Sequence, residues 1–314
     1  MVPIHVLVTG GAGFVGANLV RRLLAAGDAV TVFDNLSNGR PSYLEGTDAT
    51  LIEGDLRDAD AIAGAVSGAD AVVHLAAAGS VPDSVSDPRA NLDNNVIGTF
   101  NTLDATRRAG IERIVLASTG GAIIGNARPP VNESTLPKPI SPYGASKLAC
   151  EGYAHAFSHS YDMRAICVRF ANVYGPYSGH KKGAITVFFK AIHDGTPLTI
   201  FANGEQTRDY LYVEDICSGI VLALGSDEPG GSVFHLASGV ETNVSTLAAA
   251  CIRAAGRDDH PLDIDPNPRS TAEVERNFAT YDLAHERLGF TPQVDLADGL
   301  AETWNWYSEH VFSQ

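Results

Sequence analysis

Val8-Thr9-Gly10-Gly11-Ala12-Gly13-Phe14-Val15-Gly16 decides how the rest of this chain is read. An apolar run, Ile4 to Val8, leads into it, and an amphipathic stretch, Ala17 to Ala26, leads out. The apolar run has the pattern of a buried strand. The stretch that follows puts Leu19, Val20, Leu23 and Leu24 on one helical face and ends at Gly27. Glycines at 10, 13 and 16 between a strand and a helix suit a phosphate cradle. The first allows a tight turn, the second lets the backbone approach a pyrophosphate, and the third allows close packing. The anion would rest on free N–H groups at the positive end of the helix, near Phe14 and Val15. Glycine spacing alone is weak evidence; correct flanks on both sides make it strong.

Working outward, apolar runs alternate with helical stretches through the first half. Strands are expected at 29–33, 50–53, 71–75, 114–117 and 165–169, and helices at 59–67, 91–109 and 143–160. Near-continuous apolar strands alternating with helices predict a parallel sheet covered on both faces. After residue 172 the pattern becomes mixed and loop-rich. Helices are expected at 185–193, 246–255, 281–288 and 296–308, strands at 197–201 and 232–236, and a loop at 258–269. The fold class is therefore α/β: a Rossmann-type doubly wound parallel sheet over 1–172, rejoined by a strand near 232–236. The rest of 173–314 forms a smaller mixed α/β C-terminal substrate lobe.

The second strand ends at Asp34, 18 positions beyond Gly16. A carboxylate there accepts hydrogen bonds from an adenosine ribose and repels a 2′-phosphate, favouring NAD over NADP. Asn35 follows it, and Asn38-Gly39 reads as a turn ahead of Arg40. Asp55 and Leu56 follow the third strand, where a polar group can reach the adenine. Leu75, Ala76 and Ala77 follow the fourth and leave room for the nicotinamide side. His74 reads as a packed strand-end residue.

Tyr143 and Lys147 lie four apart in Ser141-Pro142-Tyr143-Gly144-Ala145-Ser146-Lys147, so a helix puts them on one face. An ammonium beside a phenol favours the phenolate, which predicts a lowered tyrosine pKa and a base for an alcohol proton. Tyr-x-x-x-Lys alone is common by chance; the upstream cradle gives this pair its meaning.

Composition narrows the partners. Lys plus Arg is 22 and Asp plus Glu is 37, a net charge of −15, which disfavours nucleic acid and anionic membranes. The four cysteines, 150, 167, 217 and 251, lack disulfide-framework or zinc spacing, so reduced thiols and no metal are expected. The N-terminal stretch lacks the basic region and cleavage site of a signal peptide, and no apolar run reaches the ~18–20 residues of a membrane span. The expected location is cytoplasmic.

With these pieces in order, the chain resembles the extended short-chain dehydrogenase/reductases, and within them the NAD-dependent nucleotide-sugar epimerases and dehydratases. The resemblance rests on the glycine stretch, Asp34-Asn35-Leu36, Gly54-Asp55-Leu56, His74-Leu75-Ala76-Ala77, Asn95-Val96-Ile97-Gly98-Thr99, the Tyr143–Lys147 stretch and Arg169-Phe170-Ala171-Asn172-Val173-Tyr174-Gly175-Pro176. It implies a UDP-sugar substrate and a homodimer formed by the helices beginning near Asn91 and Tyr143. Tyr143 would be the acid/base, with Lys147 on the nicotinamide ribose. Ser118 or Thr119 would supply a hydroxyl, Thr119 being preferred. Asn95 and Phe170 would support the cofactor. Asn172, Arg208 and Arg269 would hold the diphosphate, Ile185 and Phe201 would flank the uracil, and Val81 and Ala184 would complete the substrate pocket. One departure is Ile124-Gly125, where the family has tyrosine-glycine.

The resemblance leaves the reaction to be chosen. Dehydratases of the family carry an Asp-Glu pair directly after the threonine, and decarboxylases a glutamate there. This chain has Gly120-Gly121, which favours 4-epimerisation of a UDP-sugar of the glucose/galactose type through a 4-keto intermediate. UDP-glucuronate and UDP-N-acetylhexosamine remain open as substrates. The family's size-gating position falls near Asn277, which is not bulky, and His180-Lys181-Lys182 could favour a carboxylate. A 4,6-dehydratase and a non-catalytic NAD(H)-sensing regulator are the other readings.

Overall fold

The structure, a computed structural model, describes residues 2–267 and 275–313. Seven parallel strands form the main sheet: β1 (His5–Thr9), β2 (Ala29–Asp34), β3 (Thr50–Glu53), β4 (Ala71–His74), β5 (Arg113–Thr119), β6 (Arg164–Phe170) and β7 (Val233–Leu236). Their order across the sheet is β7-β6-β5-β4-β1-β2-β3. The order reverses between β1 and β4, which opens a crevice at the carboxyl ends of these strands, where open α/β sheets bind ligands.

Twelve α-helices connect or follow these strands among the described residues. They are α1 (Phe14–Ala25), α2 (Ala59–Ala65), α3 (Val81–Ser86), α4 (Pro88–Leu92), α5 (Gly98–Arg108), α6 (Gly120–Ile124), α7 (Pro142–Tyr161), α8 (Ala184–Asp194), α9 (Val213–Gly225), α10 (Val244–Ala254), α11 (Asp282–Leu288) and α12 (Leu296–His310). Period-2 alternation sorts the strand side chains. Val6, Val8, Val32 and Val168 pack with Leu19 and Leu23 of α1, Ile216 and Ile220 of α9 and Leu288 of α11. Leu7, Phe33, Ile114 and Leu116 pack on the other face with Ile62 of α2, Leu103 of α5 and Phe157 of α7. Truncating a fully buried Leu7 or Leu103 to alanine would cost about 2–5 kcal/mol. The lobe has its own core, built from Phe188, Phe189 and Ile192 of α8, Cys251 of α10 and Leu300 and Tyr307 of α12.

Three sequence expectations need correction. The helix expected over 91–109 is interrupted by a π-helical turn at Asp93–Ile97, which separates α4 from α5. The loop expected over 258–269 contains a strand, Leu262–Asp265, paired in parallel with Leu198–Phe201; the flanking prolines bound this edge strand without entering it. Helix α9 was not anticipated. Its sequence is apolar nearly all round because it lies buried against the sheet between α1 and α11, so it lacks an amphipathic stripe. The strand at 232–236 does rejoin the sheet, register-paired with β6 from Val233↔Cys167 to Leu236↔Phe170. All four cysteines are free and buried. Among the described residues no helix is long and apolar enough to cross a membrane, and no cluster of His, Cys, Asp and Glu could hold a metal ion.

Candidate active site

The glycine loop leaves β1 and closes tightly on itself. Gly10 has φ +71°, and a Cβ there would lie 2.7 Å from the Ala76 nitrogen. A Cβ on Gly16 would lie 2.2 Å from the Gly10 oxygen, and one on Gly13 would lie 3.2 Å from it. Gly10 and Gly16 are required by sterics, Gly16 by its contact with the loop rather than with the sheet, and Gly13 is tightly packed. Gly13 is the N-cap of α1, with no side-chain cap and no acidic residue in the first turn. The first amides of α1 are therefore not capped by any side chain, which fits a pyrophosphate.

Asp34 is buried at the end of β2. Its carboxylate accepts from the Ala12 N–H (3.1 Å) and the Leu36 N–H (2.9 Å), and Gly39 packs closely on it. Burial raises its pKa, opposed by those two backbone bonds. Asp34 therefore shapes the glycine loop. Asp55 is already engaged by Arg57 (2.6 Å), which holds its carboxyl far below the usual range, and Asn35 donates to it at 3.4 Å. Leu56 is buried, with Gly98 of α5 packed close against its side chain.

His74 is buried between Thr9 Oγ1 (2.8 Å from Nδ1) and Thr99 Oγ1 (2.9 Å from Nε2). Burial, helped by Lys147, pushes it down to about 3, so it is a neutral strut between β4, β1 and α5. Asn95 sits on the π turn. Its Oδ1 accepts from the Ala78 N–H (2.7 Å), and its Nδ2 donates to the Ala78 carbonyl (3.2 Å) and to Ser146 Oγ (3.0 Å). The π turn thus ties the loop after β4, including Ala76 and Ala77, to α7. Such turns recur at functional sites.

Helix α7 carries Tyr143 and Lys147. Ser141 caps it, accepting from the Gly144 N–H at 3.2 Å, and Pro142 occupies the first turn. Gly144 lets α7 touch α6, since a Cβ there would be 2.0 Å from the Ala122 oxygen. The Tyr143 N–H donates to Ser84 Oγ (3.2 Å), which fixes α3, and with it Val81, to the start of α7. The Thr119 side chain stands by the Tyr143 phenol and favours its ionised form. Ser118 turns the other way, and its Oγ donates to Glu151 Oε1 at 2.6 Å. Of the two candidate hydroxyls, Thr119 is the one that acts on the tyrosine.

The expected depression of the tyrosine pKa is not what this geometry gives. Burial pushes Tyr143 up to about 12, against the opposing influence of Thr119. Lys147 is itself buried, its pKa is lowered by burial, and its Nζ donates to the Ala117 carbonyl at 2.9 Å. Four-residue spacing put both groups on one face; desolvation decided the sign.

On the lobe side, Asn172 lies in strand Asn172–Tyr174, and its Nδ2 donates to the Asp209 carbonyl at 3.2 Å. Arg208 lies in strand Thr207–Arg208, register-paired with Thr242 and Asn277, and its Nη1 donates to the Thr207 carbonyl at 2.8 Å. Ala184 and Ile185 open α8, with Ile185 buried in the lobe core. Phe201 ends its strand half-buried, as Phe170 does β6. Arg269 lies outside the described residues. Sequence reading missed the contact of Asn277 with Gly121: a Cβ on Gly121 would lie 1.9 Å from Asn277 Nδ2. Its only trace in the sequence is the Gly-Gly pair itself. A separate cleft of about 420 Å³, lined in part by His5, Asp28, Thr31 and Asp48, lies by the opposite ends of β1 to β3 and contains none of these groups.

Known proteins are similar to this chain over nearly its whole length. Over 310 residues the chain is 36% identical to a UDP-glucose 4-epimerase of Mycolicibacterium smegmatis, covering 96% of this chain and 97% of that one. Among solved structures it is similar to a UDP-glucose 4-epimerase of Thermotoga maritima crystallised with UDP-glucose: TM-score 0.92, 33% identity, 98% of this chain and 99% of that one. It is also similar to a UDP-N-acetylglucosamine 4-epimerase of Methanobrevibacter ruminantium in complex with UDP-N-acetylmuramic acid: TM-score 0.92, 30% identity, 99% and 100% coverage. A family profile matches residues 6–237, from the cradle strand through the last strand of the sheet, and by that match the chain belongs to the NAD dependent epimerase/dehydratase family.

Proposed function

We propose that this chain is an NAD-dependent UDP-sugar 4-epimerase. The carrying observation is that Thr119, the hydroxyl that acts on the Tyr143 phenol, is followed by two glycines, the second pressed against Asn277. Water elimination across C5 and C6 needs an acid and a base beyond the tyrosine. His74 is neutral and locked between two threonines, and Glu151 is ion-paired to Arg169. Tyr143 and Thr119 are left to handle one proton.

The cradle of Gly10, Gly13 and Gly16 would hold the dinucleotide's pyrophosphate, with Asp34 at the adenosine ribose and Asn95, Lys147 and Phe170 toward the nicotinamide. When bound, NAD supplies the hydride acceptor for sugar C4 and a positive ring charge that opposes the burial of Tyr143. Tyr143 takes the proton of the C4 hydroxyl as that carbon is oxidised and returns it on reduction. Thr119 aligns the phenol. With no group among the described residues placed to deprotonate C5, the ketone persists until it is reduced from its other face. Arg208, with Arg269 and Asn172, would grip the diphosphate, as an acidic protein needs fixed arginines to hold a dianion. Residues 1–172 would serve the cofactor and 173–314 mainly the nucleotide sugar.

A UDP-hexose of the glucose/galactose type is the first substrate reading, after the UDP-glucose 4-epimerases that the chain resembles. A UDP-N-acetylhexosamine is the second, favoured by the small Asn277 beside Gly121. The protein would act as a homodimer: Leu92, Ile97, Phe100 and Tyr153 expose apolar surface on α4, the π turn, α5 and α7, an area with the composition of an interface.

Incubation with a panel of UDP- and dTDP-sugars, with products read by NMR, tests the reading. The expected product differs only at C4. A 4-keto-6-deoxy product overturns it.

A further inference from the structure

Behind Thr119 lies a buried polar network that the proposed reaction does not use. Ser118, Arg169 and His235 stand side by side on β5, β6 and β7, at matched register positions. Glu151 of α7 faces them. Its Oε1 accepts from Ser118 Oγ (2.6 Å) and Arg169 Nε (2.9 Å), and its Oε2 accepts from Arg169 Nη2 (2.7 Å). Arg169 Nη1 donates to His235 Nε2 at 3.4 Å, which leaves the proton of the neutral ring on Nδ1, and Nδ1 has no partner among the described residues. All four side chains are less than a tenth exposed. The His235 ring sits directly under Gly120, where a Cβ would lie 3.1 Å from Nδ1.

The arrangement is costly for stability alone. Buried ion pairs are often no better than apolar residues of the same volume, and breaking one side strands a charge. Its geometry points to another use. Tyr143, Lys147 and Glu151 follow one another at four-residue steps on one face of α7. Lys147 donates to the carbonyl of Ala117 and Glu151 accepts from the hydroxyl of Ser118. Two consecutive residues of β5 are thereby gripped by α7 immediately before Thr119, the residue that must meet Tyr143.

We propose that Glu151 is a positioning residue. Held by Arg169 and bonded to Ser118, it locks the end of β5 to α7 and so aims the Thr119 hydroxyl at Tyr143. Ser118 then serves the site as the link in this clamp. The inference rests on the proposed roles of Tyr143 and Thr119, but the clamp can be tested without turnover.

The test uses full-length, NAD-loaded protein carrying Ser118→Ala, Glu151→Gln, both together, or Ser118→Thr. Amide hydrogen exchange over residues 117–121 is expected to rise at least about tenfold in the Ser118→Ala and Glu151→Gln proteins. In the same proteins kcat per folded subunit is expected to fall about 10- to 100-fold, with KM for the UDP-sugar within about threefold. The double variant is expected to be no worse than the poorer single one, and Ser118→Thr to recover most of the loss. Unchanged exchange at 117–121 overturns the clamp whatever the reaction is. Normal kcat with only a lower melting temperature reduces the network to a structural role and overturns the proposal, as do losses that multiply in the double variant. Should Glu151→Gln fail to fold because Arg169 is stranded, Ser118→Ala decides alone, since it leaves the ion pair intact. Absence of epimerisation in the unaltered protein would defeat the reading of the reaction and leave the exchange result standing.

Discussion

Gly121→Ala is a one-carbon change with a definite steric consequence. The new Cβ would lie 1.9 Å from Asn277 Nδ2 and 2.9 Å from its Cγ. Ordinary contact begins near ~3.5 Å, so the amide must retreat by roughly 1.5 Å. It cannot easily take its backbone along. Strand Arg276–Asn277 is paired with Thr207–Arg208, and Arg276 is bound by both carboxylate oxygens of Glu241 at 2.8 Å. The side chain must swing instead, and being half-buried it can do so at modest cost in stability. The penalty falls on the ground between Thr119 and Arg208. Overpacking of this kind costs about 1–3 kcal/mol; spent on sugar placement, 1–2 kcal/mol is about a 5- to 30-fold loss in kcat/KM. Melting temperature should stay within a few degrees of the parent. Asn277→Ala in the same chain removes the clash, so the double variant should return to within about threefold of Asn277→Ala alone. A coupled spectrophotometric assay of UDP-galactose conversion reads all four proteins. Parental kcat/KM for Gly121→Ala, or a defect that Asn277→Ala does not relieve, would refute the reasoning.

Other perturbations follow from the same site. Tyr143→Phe should bind NAD normally, by fluorescence titration, and lose at least about 100-fold in turnover, as expected for removal of a general base; turnover near the parental rate would remove Tyr143 from the reaction. Asp34→Ala should weaken NAD binding and narrow its advantage over NADP; because Asp34 also accepts from the Ala12 and Leu36 amides, it should lower the melting temperature as well. Unchanged NAD/NADP discrimination would move the ribose clamp elsewhere. The third concerns pH. His74 and His235 are both pushed down to about 3 by burial, against about 6.5 in an unfolded chain. Between those values the unfolded chain binds protons that the folded one refuses, so stability is full above pH 6.5 and drains away as pH falls. Each histidine should cost about 2 kcal/mol on going from pH 8 to pH 5, a sizeable part of typical domain stability. Asp34 and Asp209, both raised by burial, work in the opposite direction at the acid end. Urea unfolding at the two pH values measures the slope, and a flat profile would contradict the burial of both rings as neutral species.

The parts of the site legible in the sequence were those fixed by local sterics. Gly10, Gly13 and Gly16 could be read because a backbone turn and a helix start dictate them with no knowledge of the rest. Asp34 could be read because a strand end sets its place. The parts that were not legible depend on what covers a group. Whether Ser118 or Thr119 meets the tyrosine is a question of strand facing, since neighbours on a strand point to opposite sides. The acidity of Tyr143 could not be read from its spacing to Lys147, because the lysine is buried too and is spent on a carbonyl. Helix α9 was hidden for a related reason: a helix buried on most sides carries no stripe to find. The strand at Leu262–Asp265 sat between prolines that mimic a loop.

The return of Val233–Leu236 to the edge of the sheet has a consequence for how this protein could be divided. The chain leaves the sheet after Phe170, builds part of the lobe, lays α9 across the α1 side of the sheet and then adds the seventh strand beside β6. A gene cut after residue 172 would therefore yield a fragment with Ile166 and Val168 stripped of Ile216, Ile220 and Phe234. The two halves are sewn together rather than joined by a hinge. A split version would be expected to work only by complementation, with the second fragment supplying the missing strand and helix, and a lobe borrowed from a relative would have to bring both of them with it.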